Sequence, residues 1–288
     1  MSKADLHIHT TASDGRYTPE EIVSKAAELG MTIIAIADHD SVDGVEPALN
    51  AARAFPQLRV IPNVEISTEY PGGDVHVLGY FIDHTDSDLR ARLEVFRNSR
   101  ETRARRMLSR LREFGIQLDW PRVQEIAGEG AIGRPHIAQA MLEKEYITSL
   151  KEAFDRYLAK GRPAYVERDK FTPREAVELI LRANGLPALA HPFTAGDPEK
   201  LIIELKAAGL VSIEVYYNGY TAEQIDELLQ LAHRHQLIPS GGTDYHGLDD
   251  QNETMIGDVD LPMESVAQII TLARHRGLKS AMLPIFSS

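Results

Sequence analysis

The chain has 288 residues, 43% hydrophobic and 26% charged, with a formal net charge of −12 and no cysteine. This is globular composition; it excludes disulfides and thiolate metal sites, so any metal must be held by His, Asp and Glu. The acidic balance excludes a broad nucleic-acid-binding face, and no apolar run of about eighteen residues could span a membrane.

The first predicted element is a strand, ADLHIH. MSKA runs directly into it, so no secretory signal is expected, and the absence of cysteine points to a cytoplasmic location. Thr18-Pro19-Glu20-Glu21 is a helix start, with Thr as N-cap, Pro at the first position and Glu three residues after the cap. MTIIAIADHD reads as a buried strand, VDGVEPALNAARAF as a helix and LRVIPNVEIS as a third strand. VHVLGYFI is a fourth, preceded by turn chemistry at Pro71-Gly72-Gly73-Asp74. From about Arg97 to Lys160 four helical segments follow one another without a strand: RNSRETRARRMLSRLREFG, DWPRVQEIAG, RPHIAQAMLEK and SLKEAFDRYLAKG. After GRPAYVERD alternation returns, with strands LPALAHP, LVSIEVYY and LIPSGGTDYH set between helices. Helices alternating with single buried strands imply a parallel sheet. The pattern therefore predicts an α/β fold, a barrel over residues 1–96 and 167–288 interrupted by an all-helical insertion over 97–166.

The ionisable residues fall in a pattern. A strand has a two-residue side-chain period, which places Asp5, His7 and His9 on one face. Two imidazoles side by side make a metal clamp, and Asp5 could orient one of them. Asp14 sits just past this strand. Asp38, His39 and Asp40 close the second, Glu65 closes the third, His191 closes LPALAHP, and Asp244 and His246 close the strand around GGTDYH. In β/α barrels, groups at the carboxyl ends of strands carry the chemistry. His76 opens its strand instead. An antiparallel hairpin of 58–69 with 75–82 about Tyr70 and Pro71 would pair it with Glu65. Asp38 and Asp40 point away from His39 and read as supporting or capping groups, and Glu214, within VSIEVYY, is a further candidate. His84, His233, His235 and His275 read as solvated loop or helix-end groups.

DLHIHTTASDG, ADHD, Glu65, His76, AHP and GTDYH together resemble the polymerase and histidinol phosphatase (PHP) family of metal-dependent phosphoesterases. GRPHIAQAM and EAFDRYLAKGRPAYV resemble the branch containing bacterial 3′,5′-nucleoside bisphosphate phosphatases, some of them 5′-to-3′ exonucleases on RNA. The resemblance implies a distorted, seven-stranded TIM-like (β/α)7 barrel with a helical insertion. It implies two to three divalent ions: one held by His7, His9, Glu65 and Asp244, a second by Glu65, His76 and His191, and a third by Asp14, His39 and His246. All-His/carboxylate ligation suits Mn²⁺, Fe²⁺ or Zn²⁺, and the resemblance favours Mn²⁺. Thr243 and Tyr245 stand where the family often has Ser and Phe, and neither is a ligand position.

Paired ions bridged by a carboxylate acidify a shared water and neutralise phosphoryl charge. The expected reaction is therefore hydrolysis of phosphate monoesters of small nucleotides, 3′,5′-nucleoside bisphosphates to nucleoside 5′-monophosphates, by metal-bridged hydroxide with inversion at phosphorus. No protein general acid is identified. Seven arginines stand between Arg97 and Arg112, with Arg103, Arg106 and Arg110 on one helical face. Arg134-Pro135-His136 opens another helix, whose N-terminus attracts anions. These groups read either as a solvated basic face balanced by Glu94, Glu101 and Glu113, or as a substrate site. The resemblance favours the second for Arg103, Arg106, Arg134 and His136, which would hold a second phosphate and a nucleoside. Lys160 and Arg162 are weaker candidates.

The expected partner is a small phosphorylated nucleotide, with short oligonucleotides as an alternative and no long nucleic acid or membrane. Competing readings are a 5′-3′ exonuclease on short oligoribonucleotides, a histidinol-phosphate-type phosphatase, and a non-catalytic metal-binding module. Amidohydrolases also begin with HxH, but they commonly bridge their metals with a carboxylated lysine, and no lysine ends a core strand here.

Overall fold

The computed structural model of the chain describes residues 3–71, 73–128, 132–166, 171–248 and 253–278. Gly72 of the predicted turn and residues 167–169 of the GRPAYVERD stretch lie outside the described residues, as do the side chains of Arg97 and Arg100. The chain divides into two compact units, one of Met1–Ala91 with Lys170–Ser288, the other Arg92–Asp169.

The first unit is mixed α/β. β1 (Ala4–Ile8), β2 (Ile33–Ile36) and β3 (Arg59–Pro62) form a parallel three-stranded sheet in that order. β4 (Glu65–Tyr70), β5 (Gly73–Tyr80), β6 (Leu186–Leu189), β7 (Ser212–Tyr217) and β8 (Ile238–Gly242) form a five-stranded sheet. β5 runs antiparallel to both β4 and β6, and β6, β7 and β8 are parallel. Helices α1 (Pro19–Glu28) and α2 (Val45–Ala52) pack with the first sheet. α1 begins as its sequence dictates: Thr18 Oγ1 accepts from Glu21 N (3.2 Å) while Thr18 N donates to Glu21 Oε2 (2.8 Å), a capping box ahead of Pro19.

The mixed α/β class is as expected, but the strands do not close into one hydrogen-bonded barrel of seven. Eight strands form two sheets, with isolated bridges linking Ile8 to Tyr245 and His39 to Glu65. The predicted third strand is two. Pro62 ends β3, and Asn63 and Val64 intervene before β4, with Asn63 Oδ1 accepting from Val64 N (2.8 Å). The ladders also fail beside the ligand candidates. Asp40 (φ 49°) and Asp244 (φ 54°) adopt left-handed backbone that a pleated strand cannot continue.

Two apolar clusters fill this unit. One collects Ala4, Leu6, Leu78, Tyr80 and Leu186 with residues before and within the last helix; the other collects Ile8, Ile22, Ile34, Ile36 and Tyr245. Leu6 and Ile8 belong to different clusters because β1 carries a register shift between Asp5 and Ile8.

The second unit is helical. It takes α3 (Ser87–Glu113) from Arg92 onward, and α4 (Trp120–Ala127), α5 (Arg134–Glu143) and α6 (Leu150–Ala153) follow. Its own core includes Met107, Leu111, Ile116, Val123, Ile137, Met141 and Leu158. Among the described residues no helix is long and apolar enough to cross a membrane.

Candidate metal centre

Six imidazoles and three carboxylates from both sheets converge at one end of the first unit. His7 and His9 come from the end of β1. Asp14 lies in the loop before α1, His39 follows β2, Glu65 starts β4 and His76 lies within β5. His191 follows β6, and Asp244 and His246 follow β8.

The hairpin register differs from the predicted one. Glu65 sits opposite Leu78 and His76 opposite Ser67, because the turn brings Tyr70 opposite Gly73. The two-residue difference preserves the face, so Glu65 and His76 are diagonal neighbours, close enough for their side chains to meet. His76 Nδ1 lies 2.9 Å from Glu65 Oε1.

Glu65 is the hub. Its Oε2 lies 2.9 Å from His39 Nδ1, 3.2 Å from His9 Nε2 and 3.3 Å from His7 Nε2. Its Oε1 lies 2.9 Å from His76 Nδ1 and 3.0 Å from His191 Nε2. Three groups have ligand atoms mutually within 4.8 Å: His7, His9, Glu65 and Asp244; His9, Asp14, His39 and His246; and His39, Glu65 and His76. His9 is shared by the first two and His39 by the last two. His191 falls in none of the three, meeting Glu65 and stacking edge-on to His76 with ring centroids 4.9 Å apart.

Two observations show that these residues fit divalent ions. First, His7 Nε2, His9 Nε2, Asp14 Oδ1, His39 Nδ1, Glu65 Oε2 and Asp244 Oδ1 are buried and make no hydrogen bond, although they face one another. Buried polar atoms are otherwise nearly always paired, and cations held among these groups would satisfy all six. Second, the donors are imidazoles and carboxylates, the set that suits divalent transition metals.

Burial alone would raise the Glu65 carboxyl, but His39, His76 and His7 hold it well below its usual range. Burial likewise opposes ionised Asp244, which His7 and His9 hold well down. The imidazoles respond in kind. Burial opposes the charged forms of His7 and His9, yet Asp244 and Glu65 raise both, His9 to about 10. These directions favour protons on His7 and His9 in the metal-free site.

The strand ends are braced by groups that alternation alone did not mark. Asp38 accepts from Thr10 N (2.7 Å), Thr10 Oγ1 (2.8 Å) and Ser13 Oγ (2.7 Å), holding the loop that carries Asp14. Asp40 Oδ1 accepts from Ser67 N (2.9 Å). Asp5 orients no imidazole. The β1 register shift turns it aside, and its carboxylate accepts from the backbone of His7 (3.2 Å), Thr243 (3.1 Å) and Gly257 (3.0 Å). Glu214 takes the place expected of Asp5, with Oε1 3.0 Å from His7 Nδ1. Tyr217, missed in the sequence, donates its hydroxyl to Asp244 Oδ2 (2.8 Å). Glu253 accepts from the backbone of His246, Gly247 and Leu248.

In the helical unit, Arg103 and Arg134 converge on Tyr165, with guanidinium carbons 5.3 and 6.0 Å from its ring centroid. Arg103 Nε donates to Val166 O (2.7 Å), and Arg110 donates to Tyr165 O. His136 Nδ1 accepts from Gly133 N (3.0 Å), capping its own helix. Arg106 is exposed.

The PHP domain model matches residues 5–184. The chain is 33% identical over 248 residues to a 5′-3′ exoribonuclease of Haemophilus influenzae, covering 85% of this chain and 90% of that one. It is 31% identical over 274 residues to a 3′,5′-nucleoside bisphosphate phosphatase of Chromobacterium violaceum, covering 91% and 93%. The crystal structure of a proposed metal-dependent phosphoesterase from Bifidobacterium adolescentis matches with a TM-score of 0.79 and 28% identity, over 93% of this chain and 95% of that one. A fold that brings strand-end His, Asp and Glu together, matched over these lengths, defines a metal-dependent hydrolase of the phosphoesterase class. The chain belongs to the PHP domain family.

Proposed function

We propose that the chain hydrolyses phosphate monoesters of small nucleotides, with 3′,5′-nucleoside bisphosphates converted to nucleoside 5′-monophosphates. The single observation that carries this reading is the hub at Glu65, a buried carboxylate whose two oxygens face two different sets of imidazoles. His7, His9, Glu65 and Asp244 would hold one divalent ion, Glu65, His76 and His191 a second, and Asp14, His39 and His246 a third, with Mn²⁺ the ion of choice. Such ions supply an electrophile for a phosphoryl oxygen and acidify water.

The chain's own residues do the rest. Glu65 spaces the two histidine sets at one carboxylate's width. Asp244 and Asp14 bring negative charge that draws cations and is neutralised by them. Asp38 and Glu253 hold the loops that present Asp14 and His246. No cysteine is available as a nucleophile. Arg103, Arg106, Arg134 and His136 are assigned to the second phosphate and nucleoside of the substrate. Support comes from the convergence of Arg103 and Arg134 on Tyr165 and from the relative named as a bisphosphate phosphatase.

A second reading follows from the relative named as an exoribonuclease: the same groups would hold the 5′ end of a short oligoribonucleotide. Phosphate and nucleotide release from adenosine 3′,5′-bisphosphate, AMP, histidinol phosphate and a 5′-phosphorylated RNA dinucleotide, measured in parallel with Mn²⁺, separates the two. The bisphosphate should lead by more than about tenfold in kcat/KM, about 1.4 kcal/mol of transition-state preference. A lead for the dinucleotide would replace the first reading with the second.

A further inference from the structure

β7 supplies none of the nine proposed ligands, yet it touches three of them. Glu214 and Tyr217 are three apart and would face opposite sides of a regular strand. Between Glu214 and Tyr216 the ladder to β8 shifts: Glu214 pairs with Ser240 but Tyr216 with Gly241, so Val215 is an extra, bulged residue. The bulge turns both side chains to one face. The partner strand is shaped to accept it. A Cβ at Gly241 would lie 2.2 Å from Tyr216 O, and one at Gly242 would lie 2.5 Å from His7 Cβ.

On that face, fully buried Glu214 receives two donors. His7 Nδ1 lies 3.0 Å from its Oε1, and His191 N donates to its Oε2 at 2.7 Å. A carboxylate oxygen only accepts, so the Nδ1 proton of His7 is fixed on the Glu214 side and Nε2 is aimed at Glu65 and Asp244. The second bond holds the backbone of His191, at φ 26° and ψ 65°, in a conformation that a non-glycine residue keeps only when its surroundings impose it. Tyr217 donates to Asp244 Oδ2 and leaves Oδ1 facing His7 and His9.

We propose that Glu214 and Tyr217, brought to one face by the bulge at Val215, are positioning residues that preset His7, His191 and Asp244 for cations, with Glu214 coupling the His7 and His191 subsites through one carboxylate. The inference rests on the metal reading above. It predicts that glutamine cannot replace Glu214 despite its equal size. An amide brings its own N–H donors toward one of two groups that must themselves donate, His7 Nδ1 or His191 N.

The test is Mn²⁺ binding by wild type, Glu214→Gln and Tyr217→Phe, followed by titration calorimetry and by metal content at graded free Mn²⁺, with thermal melting of each metal-free protein alongside. Glu214→Gln should weaken two equivalents of Mn²⁺ together, by at least about tenfold, the range seen when partners of metal ligands are removed. Tyr217→Phe should weaken one. If Glu214 were only a buried structural group, Glu214→Gln would lower the metal-free melting temperature and leave the isotherm unchanged, which would overturn the inference. Weakening of one equivalent alone would overturn the coupling. Should Glu214→Gln fail to fold, Tyr217→Phe decides, because a wild-type isotherm for that variant contradicts the preset geometry. A wild type that takes up no Mn²⁺ removes the metal reading itself. A wild type that loads, with variants that load equally, removes only the inference drawn from β7.

Discussion

Glu65 meets five imidazoles with one buried carboxylate, so it concentrates the sharpest expectations at the residue scale. Glu65→Gln halves the acceptor character of the hub and removes its charge. Affinity for Mn²⁺ should fall by more than about 100-fold, beyond what loss of a ligand's outer partner causes, as titration calorimetry would show. Arg134 belongs to the other half of the proposal. A charge-assisted hydrogen bond to phosphate is worth about 1.5–3 kcal/mol, roughly 10–100-fold in binding. Arg134→Ala should therefore raise KM by that factor for a nucleoside bisphosphate and much less for p-nitrophenyl phosphate. An equal rise for both would show that Arg134 does not read the second phosphate.

At the scale of elements, β7 and β8 approach too closely for any side chain at Gly241. Gly241→Ala should destabilise by about 1–3 kcal/mol, the usual range for overpacking, read as a melting temperature lower by several degrees. Elements also mark how far the sequence could be read. The HxH of β1, the Thr18 capping box and the strand-end placement of His39, His191 and Asp244 were legible, because each depends on local periodicity, whereas Glu65, expected to close the third strand, opens a separate one. The Glu65–His76 meeting was legible despite a wrong register, since a two-residue slip keeps side chains on the same face. What failed was what bulges decide. Period-two alternation put Asp5 under His7, but the register shift in β1 sends it to the backbone of Thr243 and Gly257. The same blindness hid Tyr217, whose partnership with Glu214 exists only because Val215 is extra. Barrel closure was likewise invisible to local pattern, because it depends on where left-handed residues such as Asp40 and Asp244 interrupt the ladders.

At the scale of the whole molecule, the acidic charge and the proton-loaded centre make cation binding a pH-dependent event. Asp244 and Glu65 raise His9 from its ordinary 6.5 to about 10, so the metal-free site carries that proton at neutral pH. A cation must displace it, and binding should release protons. The sign follows directly: apparent Mn²⁺ affinity should rise with pH from 6 toward 9, and titrations in buffers of different ionisation enthalpy should give different heats. An affinity flat across that range would mean that the imidazoles are already free of protons.

The most direct test of the central claim is phosphate release from adenosine 3′,5′-bisphosphate by one preparation carried through three states: as purified, stripped by chelator and dialysis, and reloaded with Mn²⁺. The proposed centre predicts release that disappears on stripping and returns on reloading, with His9→Ala inactive in every state. Release that persists in the stripped protein, or that survives in His9→Ala, would contradict it.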